Sequence, residues 1–178
     1  MSGGKKMPDA MLQPGVPANQ PWFAAYTCAR HEKHVARQLR ERQIDCFLPL
    51  YRTLRRWKDR QKQIDSPLFP GYVFVRFAHQ ERLRVLQVSG VVHLVTFNGE
   101  PAALNDGEIE SLRRGMANGL CAEPYPYLKV GRRVRVKYGP LAGTQGFLVR
   151  RKDKYRVVLS IDLIMRSIAA EVPIADLE

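Results

Sequence analysis

The twelve residues from Ser66 to Phe77, Ser-Pro-Leu-Phe-Pro-Gly-Tyr-Val-Phe-Val-Arg-Phe, constrain the fold more than any other stretch of this chain. From Tyr72 to Phe77 every position but Arg76 is β-branched or aromatic, which suits a strand with apolar residues on both faces. Pro67 and Pro70 rule out regular helix ahead of it, and Gly71 supplies the freedom for a turn. The stretch therefore predicts a stiff corner feeding a strand, with Phe69 and Tyr72 at the corner. Two readings fit. The rings belong to the core, or the rigid backbone holds them in solvent.

Around this strand the pattern alternates. Trp22 to Thr27 reads as a short opening strand, and Arg30 to Arg42 as a helix with Val35, Ala36 and Leu39 as its apolar stripe. Ile44 to Leu50 reads as a second strand ended by Pro49. Arg52 to Gln63 is too polar for core and reads as a hairpin tip or loop. His79 to Val88 has helical spacing, and Val91 to Phe97 reads as a strand followed by the turn signal Asn98-Gly99. Asn105 or Asp106 is placed to cap a helix reaching Met116, with Ile109 and Leu112 turned inward. Residues 21–116 thus predict an α+β fold, an α/β sandwich with an antiparallel sheet.

The flanks differ. Residues 1–20 are rich in Gly, Pro, Asn and Gln and predict a disordered tail; residues 117–127 lack periodicity and predict a linker. Over 128–178, period-two alternation at Val134, Val136, Phe147, Val149, Tyr155, Val157, Leu159 and Ile161 predicts a small β-barrel.

The formal net charge is +12, spread as +1, +6 and +5 over residues 1–20, 21–116 and 117–178. Such a balance favours polyanions, most often nucleic acid or a ribonucleoprotein surface. Arg30, Lys33, Arg37 and Arg40 recur at helical steps and form either a solvated face or a track for phosphates. Arg55, Arg56 and Trp57 sit in a run that also holds Arg52, Lys58, Arg60 and Lys62, where cations can neutralise phosphate and an aromatic can stack on a base.

Other classes fare worse. No apolar run approaches a membrane span, and the amino terminus lacks the apolar segment of a signal peptide, so the expected location is the cytoplasm. The three cysteines, Cys28, Cys46 and Cys121, are odd in number and widely spaced, which argues against a disulfide framework. Cys28, His31 and His34 fall three apart, but Arg30 and Lys33 oppose a cation there, so no metal or cofactor is expected. Asp45, Asp59, Asp65 and Asp106 lie scattered among arginines without a base–nucleophile grouping, so no enzyme activity is expected.

Leu68-Phe69-Pro70-Gly71-Tyr72-Val73-Phe74-Val75 resembles the signature of the amino-terminal domain of the NusG family of transcription elongation factors. The opening strand, with an aromatic pair ahead of small residues, is similar to that family's first strand. Further on, Val130 to Val136, followed by Gly139-Pro140-Leu141-Ala142-Gly143-Thr144-Gln145-Gly146, resembles the KOW motif, which uses Gly139, Pro140, Gly143 and Gly146 around a tight turn. The resemblance covers residues 21 to 178.

That resemblance implies a first domain that binds the clamp helices of RNA polymerase through an apolar patch. Phe69, Pro70, Gly71, Tyr72 and Phe74 occupy the matching motif, with Trp22, Leu94 and Phe97 as additions that core packing explains equally well. It implies contact of the basic helix with upstream or non-template DNA, and a barrel that tethers a small-subunit ribosomal protein or Rho, in a monomer. The chain departs from housekeeping members at Asp162 to Ile168, where they carry Phe-Gly-Arg, and this counts against Rho. Arg42 to Cys46 leading to Pro49, with Leu163-Ile164, resembles specialised RfaH-like paralogues and implies an operon-selective antiterminator; the alternative is a housekeeping factor. A ribosome-associated RNA-binding KOW protein would explain the charge and the barrel but not the first domain.

Overall fold

The computed structural model describes residues 20–57, 60–128, 131–151 and 154–178. The tail expected over 1–20 lies, but for its last residue, outside them, as do Lys58 and Val130. Strands β1 (Trp22–Thr27), β2 (Asp45–Phe47), β5 (Tyr72–Arg76) and β6 (Val91–Leu94) form one sheet in the order β2-β5-β1-β6, antiparallel throughout. Period two gives that sheet two distinct faces. Phe23, Ala25, Val73, Val75, Phe77 and Leu94 pack against Val35, Ala36 and Leu39 of helix α1 (Glu32–Glu41) and Val85 of helix α2 (Arg82–Leu86). Trp22, Ala24 and Phe74 point the other way, toward Ile109 and Leu112 of helix α3 (Asp106–Ala117).

Local signals account for the start of α3. The Asn105 side chain accepts from the N–H groups of Gly107 at 2.9 Å and Glu108 at 3.3 Å, capping the helix. Asp106 instead accepts from the Trp22 backbone N–H at 3.1 Å and ties the helix to β1. The Asn98-Gly99 signal joins β7 (Thr96–Phe97) to β8 (Glu100–Pro101), with φ of +51° and +85°, as a primed hairpin turn requires.

One open reading is decided and one expectation needs correction. Residues 52–63 are a hairpin rather than a loop, and the strands run to its tip: β3 (Leu50–Trp57) and β4 (Arg60–Pro67) pair residue for residue from Leu50↔Pro67 to Trp57↔Arg60, in a two-stranded sheet of their own. Within the segment expected as a linker, β9 (Ala122–Tyr125) pairs with β13 (Arg166–Glu171). β10 (Arg132–Arg135), β11 (Gln145–Arg151) and β12 (Lys154–Ile161) complete a five-stranded sheet in the order β10-β11-β12-β13-β9. Glu178 and Arg135 exchange two backbone hydrogen bonds of 2.9 Å, which brings the chain's end onto β10. The core of this barrel is Val134, Val136, Leu141, Val157, Ala170 and Val172. No described helix is long and apolar enough to cross a membrane.

Candidate interaction surfaces

Phe69, Pro70, Gly71 and Tyr72 form one β-turn. The Tyr72 N–H donates to the Phe69 carbonyl at 3.1 Å, and Gly71 sits at φ +86° after proline, the type II arrangement. The Gly71 N–H donates to Glu32 Oε1 at 2.9 Å, so a buried carboxylate in the first turn of α1 pins the corner. A Cβ at position 71 would stand 3.1 Å from the Tyr26 ring. The Phe69 ring meets Phe74 edge-on at 5.3 Å, and Tyr26 bridges Tyr72 and His93 at 5.3 and 5.1 Å.

The corner is rigid, as the sequence implies, but the Phe69 ring is not in solvent: it is 1% exposed. Its cover comes from the barrel. Trp22, Leu68, Phe69, Phe74, Ile109 and Leu112 form one apolar cluster with Ile161, Ile164 and Ile168, and Leu159 packs against it. A cavity of about 20 Å³ is lined on one side by Phe69 and Leu112 and on the other by Leu159, Ile161 and Ile168. Deeper along α3, a Cβ on Gly115 would lie 3.3 Å from Leu141 Cδ2, so helix and barrel meet there with no room for a side chain. The barrel is docked on the aromatic face.

The remaining patch residues divide. Pro70 is exposed and Tyr72 half-buried beside the cluster. Trp22 is buried in the cluster, its indole N–H donating to Glu110 at 3.0 Å and the Arg76 guanidinium 4.6 Å from the ring centroid. Leu94 lies on the opposite face, in the core under α1, because its register partner is Ala25 rather than Tyr26. Phe97 stands exposed on the β7–β8 hairpin, away from the cluster.

Docking also crowds two carboxylates. Glu108, in the first turn of α3, and Asp162, in the 3-10 turn after β12, approach across the contact. Burial and then the Asp162 charge raise the Glu108 pKa above its ordinary value of 4.5, although the side chain keeps solvent contact.

The basic residues occupy two separate surfaces. Arg30, Lys33, Arg37 and Arg40 are exposed on and just before α1; Arg37 also contacts His34 at 3.0 Å and Glu41 at 3.9 Å. Arg55 and Arg56 are exposed on β3, where Arg55 stands directly opposite Lys62. Like charges paired across a ladder repel, and a bound anion relieves that repulsion. Of Trp57, only the backbone, at the end of β3, is described. Cys28, His31 and His34 do not form a metal-ligand group among the described residues.

In the KOW-like turn, Gly139 and Gly143 take φ of +84° and +86°, and the Gly143 N–H donates to Val136 at 2.7 Å. Pro140 is exposed beside buried Leu141. Gly146 answers to packing instead: a Cβ there would stand 2.5 Å from Val157 Cγ1 and 2.6 Å from the Val158 carbonyl oxygen.

The barrel residues that cover the corner carry no sequence signal of that role. Ile161, Ile164 and Ile168 read as ordinary strand and turn residues until the two halves of the chain are set together.

Comparison with known proteins bears on the family and the fold. The family model described as "Transcription termination factor nusG" matches residues 20–113, more than half of the chain. The chain is 25% identical over 172 residues to the transcription termination/antitermination protein NusG of Pseudomonas aeruginosa, covering 88% of this chain and 97% of that one. It is 23% identical over 174 residues to the NusG of Lactococcus lactis, covering 90% and 93%. Among solved structures it is similar in fold to Thermotoga maritima NusG, described for its domain interaction, with a TM-score of 0.54 at 20% identity over 90% of this chain and 97% of that one.

Proposed function

The chain belongs to the NusG family of transcription termination and antitermination factors, and on that premise we propose that it binds the RNA polymerase clamp helices through Phe69, Pro70, Gly71, Tyr72 and Phe74. The observation that carries this is the type II corner itself. Two aromatics flank a proline–glycine pair whose backbone is locked by Tyr72 and Glu32, which makes a large apolar anchor of low entropic cost. Bound there, the factor suppresses pausing. The basic face of α1 and the β3–β4 hairpin contact upstream or non-template DNA, and the barrel tethers a second partner such as a small-subunit ribosomal protein. The protein acts as a cytoplasmic monomer.

The docked barrel sets the resting state of this factor. Phe69 and Phe74 become available to polymerase only when Ile161, Ile164 and Ile168 withdraw. The segment Asp162 to Ile168, standing where housekeeping members carry Phe-Gly-Arg, favours an operon-selective antiterminator over a Rho-coupled factor. It puts Ile164 into the contact while leaving Met165 63% exposed.

Single-round transcription on a template with a pause site and a Rho-dependent terminator tests the proposal. Shortened pausing with increased read-through is the expected result. Shortened pausing with earlier Rho release would assign the housekeeping role instead, and no effect on either would remove the polymerase reading.

A further inference from the structure

Docking engages the barrel sheet chiefly through one face, with Gln145 and Ser160 reaching the edge of the contact. Register places Leu159, Ile161 and Ile168 on the docking side, while Phe147, Val158 and Ser160 lie on the opposite side. On that second side a cavity of about 310 Å³ opens between Leu128, Arg133, Gln145, Phe147, Ser160 and Asp162. We propose that this cavity receives one base of a single-stranded nucleic acid, stacked on Phe147, with the adjoining phosphates held by Arg133 and Arg135.

The chemistry of the lining sorts base from phosphate. Phe147 is half-buried and fixed between Val158 on β12 and Arg133 on β10, its register partners. The Arg133 guanidinium lies 5.8 Å from the Phe147 ring centroid, so a planar ligand meets both a ring and a cation. At the edge of the cavity, Gln145 offers an amide. Asp162 accepts from the Tyr127 hydroxyl through Oδ1 at 2.8 Å and brings to the lining a carboxylate able to accept from an exocyclic amino group. The carboxylate repels a phosphate from the interior, while exposed Arg133 and Arg135 attract one to the rim. Ser160 is already committed, donating to the Leu128 carbonyl at 2.8 Å and lying 2.7 Å from Ser167 Oγ, and so shapes the wall. The volume suits a base, and the lining sets Leu128, Phe147 and Val158 beside polar Gln145, Ser160 and Asp162.

Gln145 and Ser160 line both this cavity and the small gap beside Phe69, so the site borders the docking contact. The test uses the full chain and a labelled mixed-sequence RNA of about twelve nucleotides, read by fluorescence anisotropy, with the matching single-stranded DNA in parallel. Phe147→Leu keeps apolar volume and removes the stacking ring; the expected loss is about tenfold. Arg133→Gln should weaken binding about threefold to tenfold and flatten the salt dependence by about one phosphate contact. Ile164→Ala, which alters no residue lining the cavity, should bind no more weakly than the parent. Photo-crosslinks from 5-iodouridine in the RNA should map within residues 132–162. Equal affinity for the two strands defines a general single-strand site, and preference for RNA points to the transcript; either supports the assignment. Parent-like binding by Arg133→Gln and Phe147→Leu, or crosslinks confined to the β3–β4 hairpin, would overturn it. So would capture of a ribosomal protein with no affinity for either strand. Should Phe147→Leu fail to fold, Arg133→Gln, an exposed change, decides alone.

Discussion

Replacing Ile164 with alanine separates the docking contact from the barrel's own stability. Ile164 sits in the 3-10 turn between β12 and β13, is 5% exposed, and belongs to the cluster shared with Phe69 and Phe74. It is absent from the barrel core of Val134, Val136, Leu141, Val157, Ala170 and Val172. Ile→Ala in a packed interior costs about 2–5 kcal/mol, and a site between two units that can close over the gap falls near the low end, about 2 kcal/mol. That shifts the docking equilibrium toward the open form about thirtyfold. Polymerase binding by the parent is weakened by the small fraction of open chain, so the variant should bind up to about thirtyfold more tightly, a gain that stops growing once most chains are open. Titration of labelled chain with core polymerase measures it, and small-angle scattering should report a larger radius of gyration. Thermal unfolding of the barrel should be nearly unchanged. An unaltered affinity together with an unaltered radius would refute the reasoning, because it would mean that Ile164 does not hold the barrel down.

Three further outcomes follow from the same geometry. Tyr72→Ala should weaken polymerase binding by about 2 kcal/mol or more without unfolding the chain, because the ring is half-buried at the rim of the cluster; loss of the near-ultraviolet circular dichroism of the domain would show that the ring is core instead. The raised Glu108 pKa makes docking depend on pH. The docked form holds the proton more tightly than the open form, so docking carries a penalty above the raised value, and that penalty disappears as pH falls through it toward 4.5. Scattering should therefore report a more closed chain at the lower pH, and Glu108→Gln should be closed and insensitive across the same window. Gly146→Ala drives a Cβ against Val157 and the Val158 carbonyl, at a cost of about 3 kcal/mol. The barrel's melting midpoint should drop by about 12–24 °C in calorimetry.

Where local chemistry decides structure, the chain was readable. The proline–glycine corner, the Asn105 cap, the Asn98-Gly99 turn and the stripe of Val35, Ala36 and Leu39 each depend on neighbours a few residues away. The hairpin of β3 and β4 could not be told from a loop because its strands carry Arg52, Arg55 and Arg56 in place of alternating apolar residues, and its ladder is held by backbone pairing. β9 was missed because Pro124 and Pro126 flank or interrupt a strand that survives by lying at a sheet edge, where a missing N–H is tolerated. Leu94 was offered to the patch because a strand's facing cannot be known before its register with β1. The covering of Phe69 lay furthest out of reach: its partners Ile161 and Ile168 are some ninety positions away, and they read as strand residues of a separate unit.

β9 has a consequence for distance. Only residues 118–121 separate the end of α3 from this strand, so with β9 paired the barrel's travel is held to about 14 Å of extended chain. Peeling β9 from β13 adds its length and the residues beyond it, up to the start of β10 at Arg132, to the tether. The reach then grows to about 50 Å. The barrel's edge strand is thus a coil of stored rope: zipped, it keeps the second unit within arm's length of the first, and unzipped, it lets that unit fish for a partner far from the polymerase surface.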